Sequence, residues 1–129
     1  MKKDRGRPTD AELRILQVLW DRGPSTVREV LRTLEEEHDI GYTTVLKLMQ
    51  IMADKGILEK DDSVRPQVYR ASRTRRQTEK VYVGDLLDRL FRGSPGNLVL
   101  QALSARKLSS DERKQIRDLL ERLESEGED

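Results

Sequence analysis

The hydrophobic positions of the first half of the chain recur at helical spacing in three segments. The first is predicted to begin after the capping pair Thr9 and Glu12, in which each side chain bonds an otherwise unpaired amide, and to end at about Arg22. The second is a short amphipathic helix capped by Ser25 or Thr26, with an apolar stripe on one face.

The third segment begins at Tyr42 and is predicted to end at Gly56, a residue typical of helix C-termini. Successive helical residues are rotated by about 100°, so its apolar side chains share one face: Val45, Leu48, Met49 and Met52. Two short strands follow, at residues 57–59 and 67–70, separated by the polar turn 60–66. Three helices and a hairpin predict a mainly α fold of the winged helix-turn-helix type.

The second half is predicted to hold a long helix over 72–91, a break at 93–96, a short apolar segment and a last helix opened by a capping box at Ser109. Its apolar stripes contain too few residues to close a core alone, so we expect them to pair with a second copy. The expected dimerisation residues are Leu86, Leu87, Leu90, Phe91, Leu98, Val99, Leu103, Ile116, Leu119, Leu120 and Leu123.

These patterns divide the chain into four predicted regions. Residues 1–8 form a basic N-terminal arm, 9–72 a winged helix-turn-helix DNA-binding domain, 73–124 a helical dimerisation domain, and 125–129 an acidic tail.

The composition narrows the class of protein. The chain has 129 residues, of which 35% are hydrophobic and 38% are charged, so the core is thin. Without cysteine there is no disulfide framework or thiolate metal site, which suits a reducing cytoplasm. No uncharged stretch approaches the roughly 20 residues of a membrane helix. We therefore expect a cytoplasmic protein that does not insert into membranes.

The net charge of +1 conceals two basic clusters, in residues 1–8 and 63–80. Such an asymmetry is expected of a surface that meets phosphates, although solvated surface charge would look the same. The arginines expected to contact DNA are Arg65, Arg70, Arg73 and Arg75. The sequence Arg5-Gly6-Arg7-Pro8 is either a minor-groove insert or a disordered basic tail.

The third helix has a polar face opposite its apolar one. Polar side chains such as Thr, Lys and Gln reach base edges and phosphates when a helix lies in the major groove, although an ordinary solvated helix carries them too. Leu46 lies at the margin, where it would contact a thymine methyl or pack at the edge of the core. The expected DNA-binding residues of this helix are Tyr42, Thr43, Thr44, Leu46, Lys47 and Gln50.

Catalytic chemistry has no support in the sequence. His38 is the only histidine and has no second metal ligand near it, and no nucleophile, glycine-rich phosphate loop or metal-binding spacing accompanies the carboxylates. We expect no enzyme activity, no cofactor, no metal and no small-molecule substrate.

Five segments stand out in order along the chain: PTDAELRILQVLWDRGPSTVREVLRTL, GYTTVLKLMQIMADKGIL, VYRA, LLDRLFRGSPGNLVLQAL and LSSDERKQIRDLLERLE. Together they resemble the BlaI/MecI/CopY (penicillinase repressor) family of bacterial transcriptional regulators. The resemblance implies a winged helix with a helical dimerisation region, and repression by binding palindromic double-stranded DNA operators as a homodimer.

The resemblance also implies particular residues. The base-reading positions of the family correspond to Thr43, Thr44, Leu46 and Lys47, with Leu46 where some members have Arg. The copper-responsive branch ends in a cysteine cluster, which this chain lacks.

In the β-lactam branch, a membrane zinc metallopeptidase sensor triggers cleavage that weakens the dimer. The matching bond joins Gln101 to Ala102, where those members have Asn followed by Phe. The segment 98–103 is otherwise dimer core. The competing interpretation of the whole chain is a winged-helix module that binds a protein and not DNA.

Overall fold

The structure, a computed structural model, describes residues 8–127 and forms two compact units, of which the first ends at Gly84 and the second begins at Asp85. The Arg5-Gly6-Arg7 motif and all of the predicted basic arm except Pro8 lie outside the described residues. The elements, in chain order, are α1 (Asp10–Arg22), α2 (Val27–Leu34), α3 (Tyr42–Asp54), β1 (Leu58–Asp61), β2 (Val68–Ala71), α4 (Arg75–Arg89), α5 (Pro95–Ala105) and α6 (Ser110–Glu126).

Helices α1 and α2 begin with the reciprocal caps that the sequence predicts. The Thr9 hydroxyl accepts from the Glu12 amide at 3.1 Å, and the Glu12 carboxylate accepts from the Thr9 amide at 3.0 Å. Thr26, rather than Ser25, forms the same pair with Glu29, at 3.1 and 2.9 Å. The bond from the Thr26 amide is the largest cause of the lowered pKa of Glu29.

The core of the first unit joins α1, α2 and α3 to the hairpin. Helix α3 contributes Val45, Met49 and Met52, all fully buried, whereas Leu48 of the predicted stripe is only partly buried. The buried apolar residues are Ile15, Leu16, Val18, Leu19, Val27, Val30, Leu31, Leu34, Val45, Met49, Met52, Leu58 and Tyr69. Burial also raises the pKa of the Tyr69 phenol.

The wing is the antiparallel hairpin of β1 and β2, in which Leu58 pairs with Ala71 and Asp61 with Val68. Each strand starts one residue later than expected. Ile57 stays outside β1 because its amide closes the end of α3 on the Met52 carbonyl, at 2.9 Å, after Gly56 has taken the positive φ of +83°.

One strand contact was missed by the sequence analysis. Ser25, between α1 and α2, forms a two-bond bridge with Tyr69 of β2, at 3.0 and 2.8 Å, and thus adds a third chain segment to the sheet. A single paired residue has no periodicity to reveal it.

Helix α4 is shorter than predicted at both ends. It was expected over 72–91 but begins at Arg75, because Thr74 and Gln77 exchange cap bonds at 3.1 and 2.9 Å. The preceding loop is held by the Trp20 indole, which donates to the Arg73 carbonyl at 2.9 Å.

The expected break at 93–96 is also too long. Ser94 caps α5 through the Asn97 amide, at 3.1 Å, so Pro95 and Gly96 are its first residues. Proline is favoured there because the first helical amide has no partner in any case. Helix α6 opens with the predicted Ser109 capping box and continues through Glu126.

A partly buried ion pair connects the start of α1 with the end of α3. The Lys55 ammonium lies 2.7 Å from Glu12 Oε2, and the Glu12 side chain is 3% exposed while that of Lys55 is 43% exposed. Glu12 therefore caps α1 with one oxygen and binds the residue after α3 with the other.

We predict that Lys55→Met lowers the free energy of unfolding by about 1–3 kcal/mol, because it leaves a buried carboxylate oxygen without its partner. Urea unfolding followed by the fluorescence of Trp20, the only tryptophan, measures the first unit. Adding Glu12→Gln should recover part of the loss, since the amide oxygen can still accept from Thr9. Equal stability of Lys55→Met and the parent chain would contradict the prediction.

Candidate nucleic-acid interface

Helix α3 has one face in the core and the other in solvent. Val45 and Met49 are fully buried, so the rotation of the helix about its axis is fixed. All the predicted DNA-binding residues of α3 except Leu46 are exposed: Tyr42 and Thr44 at the N-terminal end, and Thr43, Lys47 and Gln50 on the opposite face. Within residues 8–127, Lys47 forms no ion pair or hydrogen bond through its side chain, so its ammonium group is available to a ligand.

Leu46 lies where the sequence left two alternatives. It is partly buried and packs against the core of the first unit, residues 8–84, which we call the head, so much of its apolar surface is already used there.

The N-terminal end of α3 carries a contact that the sequence analysis did not find. The Arg28 guanidinium of α2 lies 4.7 Å from the centre of the Tyr42 ring, a cation–π geometry. Arg28 is exposed, and its charge therefore belongs to the same surface as Tyr42. The sequence feature that could have indicated this contact is an arginine on the outward face of the helix before α3.

The wing places two of the predicted arginines. Arg65 lies in the turn, where its side chain donates to the Asp62 carbonyl at 2.9 Å. The turn is braced by Ser63, whose hydroxyl and amide donate to Asp61 and thereby lower the pKa of that carboxyl. Arg70 on β2 donates to Glu59 of β1 at 3.0 Å, so part of its charge is balanced across the strands.

Arg73 and Arg75, the two predicted DNA contacts that follow the wing, differ in their surroundings. Arg75 bonds Asp21 at 2.8 Å and Gln17 at 3.2 Å, and lies 5.4 Å from the centre of the Trp20 ring. It therefore fastens the start of α4 to α1. The Arg73 side chain is exposed and forms none of these contacts within the described part of the chain.

The second unit exposes most of its apolar side chains. Among its described residues α5 and α6 bury none, and Leu90 is 65% exposed. Of the predicted dimerisation residues, Leu87, Phe91, Leu98 and Ile116 are partly buried. The exposed ones are Leu86, Leu90, Val99, Leu103, Leu119, Leu120 and Leu123. Gln101 and Ala102 lie within α5, and both are exposed.

The described residues, 8–127, also bear on metal binding and membrane insertion. In that range, no three His, Cys, Asp or Glu side chains are grouped so that they could hold a metal ion. Nor does any helix of that range have the length and apolar character needed to cross a membrane.

Three helices, a two-stranded wing and a helical second unit define a winged helix-turn-helix protein with a helical C-terminal region. The family model of the penicillinase repressor matches residues 8–122, and the chain therefore belongs to the penicillinase repressor family. It is 25% identical over 113 residues to the penicillinase repressor of Bacillus licheniformis, an alignment that covers 88% of each protein. The family resemblance expected from the sequence is thus confirmed. The family is one of transcriptional repressors rather than enzymes, which gives the chain a regulatory role in general terms.

The two faces of α3 should respond differently to truncation. We predict that Val45→Ala lowers the free energy of unfolding by about 2 kcal/mol, because two buried methyl groups are lost and a cavity remains. Lys47→Ala should change it by less than about 0.5 kcal/mol, as is usual for a solvated side chain. Urea unfolding followed by Trp20 fluorescence compares the two variants. A larger loss for Lys47→Ala than for Val45→Ala would show that the helix is rotated differently.

Proposed function

We propose that this protein is a repressor that binds a near-palindromic DNA operator as a homodimer, with α3 in the major groove. The observation that carries the proposal is the division of α3 into a fully buried apolar face and an exposed polar face. A helix about 10–12 Å wide fits the major groove, where each base pair presents its own donors and acceptors.

The exposed side chains of α3 have the chemistry for base readout. Lys47 can donate to the O6 and N7 acceptors of guanine, and Gln50 can pair with the N6 and N7 positions of adenine. Thr43 and Thr44 lie in the first turn, where a recognition helix contacts base edges or the adjacent phosphates. Tyr42, stacked with Arg28, supplies a hydroxyl beside a guanidinium at the same end.

The arginines of the wing and of the loop after it would bind phosphates. Arg73 is the readiest of them, because its guanidinium is exposed and has no carboxylate partner within residues 8–127. Arg70 and Arg75 would have to exchange Glu59 and Asp21 for phosphate, which reduces the net gain in binding. Arg65 extends the basic surface to the turn of the wing.

Dimerisation is assigned to the second unit. Its exposed leucines and Val99 would be removed from water if two copies paired, and a two-fold axis would then present two copies of α3 to the operator. Half-sites separated by about one DNA turn, ~34 Å, or a multiple of it, match such a dimer.

Release from the operator would follow cleavage in α5. The bond between Gln101 and Ala102 lies inside the helix and both side chains are exposed, so a protease would need the helix to open locally. A membrane zinc metallopeptidase sensor is the proposed trigger. Loss of the chain after this bond would remove α6 and the end of α5 from the dimer.

The DNA-binding proposal is tested by selecting duplexes from a random-sequence pool with the full chain and measuring their affinities by fluorescence anisotropy. We predict that, if Lys47 reads a base, Lys47→Ala weakens binding to the selected duplex by about 1–3 kcal/mol and changes binding to random duplex little. If Lys47 contacts a phosphate, binding to both duplexes weakens, and the slope of log affinity against log salt concentration becomes shallower by about one unit.

Lys107→Ala is the matched control, since it removes the same charge from an exposed residue outside α3 and the wing. A chain that selects no duplex, and whose weak binding to random DNA does not depend on salt, would contradict the proposal and favour a protein-binding module.

The dimer assignment is tested by ending the chain after Leu100, within α5. We predict a folded but monomeric head, whose affinity for the operator falls by about 10²-fold because the two half-sites are no longer bound by one linked molecule. Sedimentation gives the oligomeric state, anisotropy the affinity, and Trp20 fluorescence the integrity of the head. A shortened chain that stays dimeric and keeps full affinity would refute both the assigned interface and release by proteolysis.

A further inference from the structure

The outward face of α3 contains an apolar side chain that the fold does not use. Ile51 is 39% exposed, although it lies on the helix whose inner residues Val45 and Met52 are fully buried. Apart from Tyr42 at the N-terminus, it is the one large apolar side chain that α3 exposes, and every residue of α3 is described. Single exposed apolar residues are ordinary on protein surfaces, so exposure alone does not indicate a role in binding, and the position of Ile51 on the helix must be considered.

Its position is on the face assigned to the DNA. At about 100° per residue, Ile51 is rotated by only about 40° from Lys47 and by about 20° from Thr44. It follows Lys47 by four residues and therefore lies one turn further along the helix, about 6 Å away along the axis. Successive bases along one DNA strand are spaced by about 3.4 Å, so the two side chains would reach positions about two base pairs apart.

The other apolar residues at the margin of α3 are already engaged. Leu46, Leu48 and Ala53 pack against the core cluster of the head, which leaves them less surface for a ligand. Ile51 is the residue whose apolar surface remains available beside Lys47 and Gln50. A branched side chain on a helix also has one strongly preferred rotamer, so little entropy is lost on contact.

Among base edges in the major groove, the feature that suits such a side chain is the 5-methyl group of thymine. We propose that Ile51 is a specificity-determining residue that contacts a thymine methyl, about two base pairs from the base or phosphate bound by Lys47. The proposal rests on the proposed function, because it requires α3 to lie in the major groove. It assigns the thymine contact to Ile51 and not to Leu46.

The test replaces each thymine of the selected operator with deoxyuridine, which removes the methyl group and leaves the hydrogen-bonding groups intact. At one position, repeated in each half-site, this replacement should lower the affinity of the parent chain by about fourfold per half-site, the equivalent of one buried methyl group. Ile51→Ala should bind the thymine and uracil duplexes equally at that position. Ile51→Val, which keeps both branches at Cβ, should retain part of the difference.

Lys47→Ala is the matched control: it should weaken binding of both duplexes and keep the ratio between them. If the parent chain selects no DNA, both the proposed function and this inference fail. If DNA is bound but no thymine methyl matters, the inference alone is overturned. The same holds if Ile51→Ala keeps the thymine preference, or if Leu46→Ala abolishes it instead. Unchanged urea midpoints for the Ile51 variants exclude loss of the fold as the cause.

Discussion

The rotation of α3 about its own axis is the constraint on which the candidate interface depends. Val45, Met49 and Met52 are all fully buried, and a turn of the helix by even one residue would bring a polar side chain into the core. The Lys55 pair with Glu12 holds the residue after α3 to the start of α1. Because the inner face is fixed in this way, the outer face presents a defined set of side chains with little freedom to rearrange.

The head also separates cations that stabilise the fold from cations that are available to a partner. Arg75 and Lys55 are bound to carboxylates of α1 and hold α4 and α3 against it. Lys47 and Arg73 have no such partner within the described part of the chain. A basic cluster in the sequence is therefore not equivalent to a basic binding surface, and counting arginines overstates the charge that a nucleic acid would meet.

Local signals in the sequence predicted most of the head, and its long-range contacts could not be predicted. The capping boxes at Thr9 and Thr26 involve residues three apart, and the buried stripe of α3 follows from helical periodicity. The Ser25 bridge to Tyr69 and the Trp20 bond to the Arg73 carbonyl join residues more than 40 positions apart, and neither leaves a periodic pattern. Helix α4 begins at Arg75 because Thr74 and Gln77 cap it, and the Trp20 bond holds only the loop before it. For the interface, the period of α3 correctly identified its exposed face, but it could not show that Arg28 lies over Tyr42 or that Arg75 is paired.

The second unit has little apolar packing within its own chain. Helices α5 and α6 bury no residue of their own, and leucines such as Leu100 and Leu120 are more than half exposed. Helices of this length gain little stability in water from hydrogen bonding alone and need apolar packing. If a second copy supplies that packing, the stability of this unit depends on protein concentration. Folding of the second unit and tight operator binding are then linked, since both require the paired state. In the proposed mode of release, a cut inside α5 would act on a helix that buries no residue within its own chain, and the packing that a second copy supplies to it would be lost.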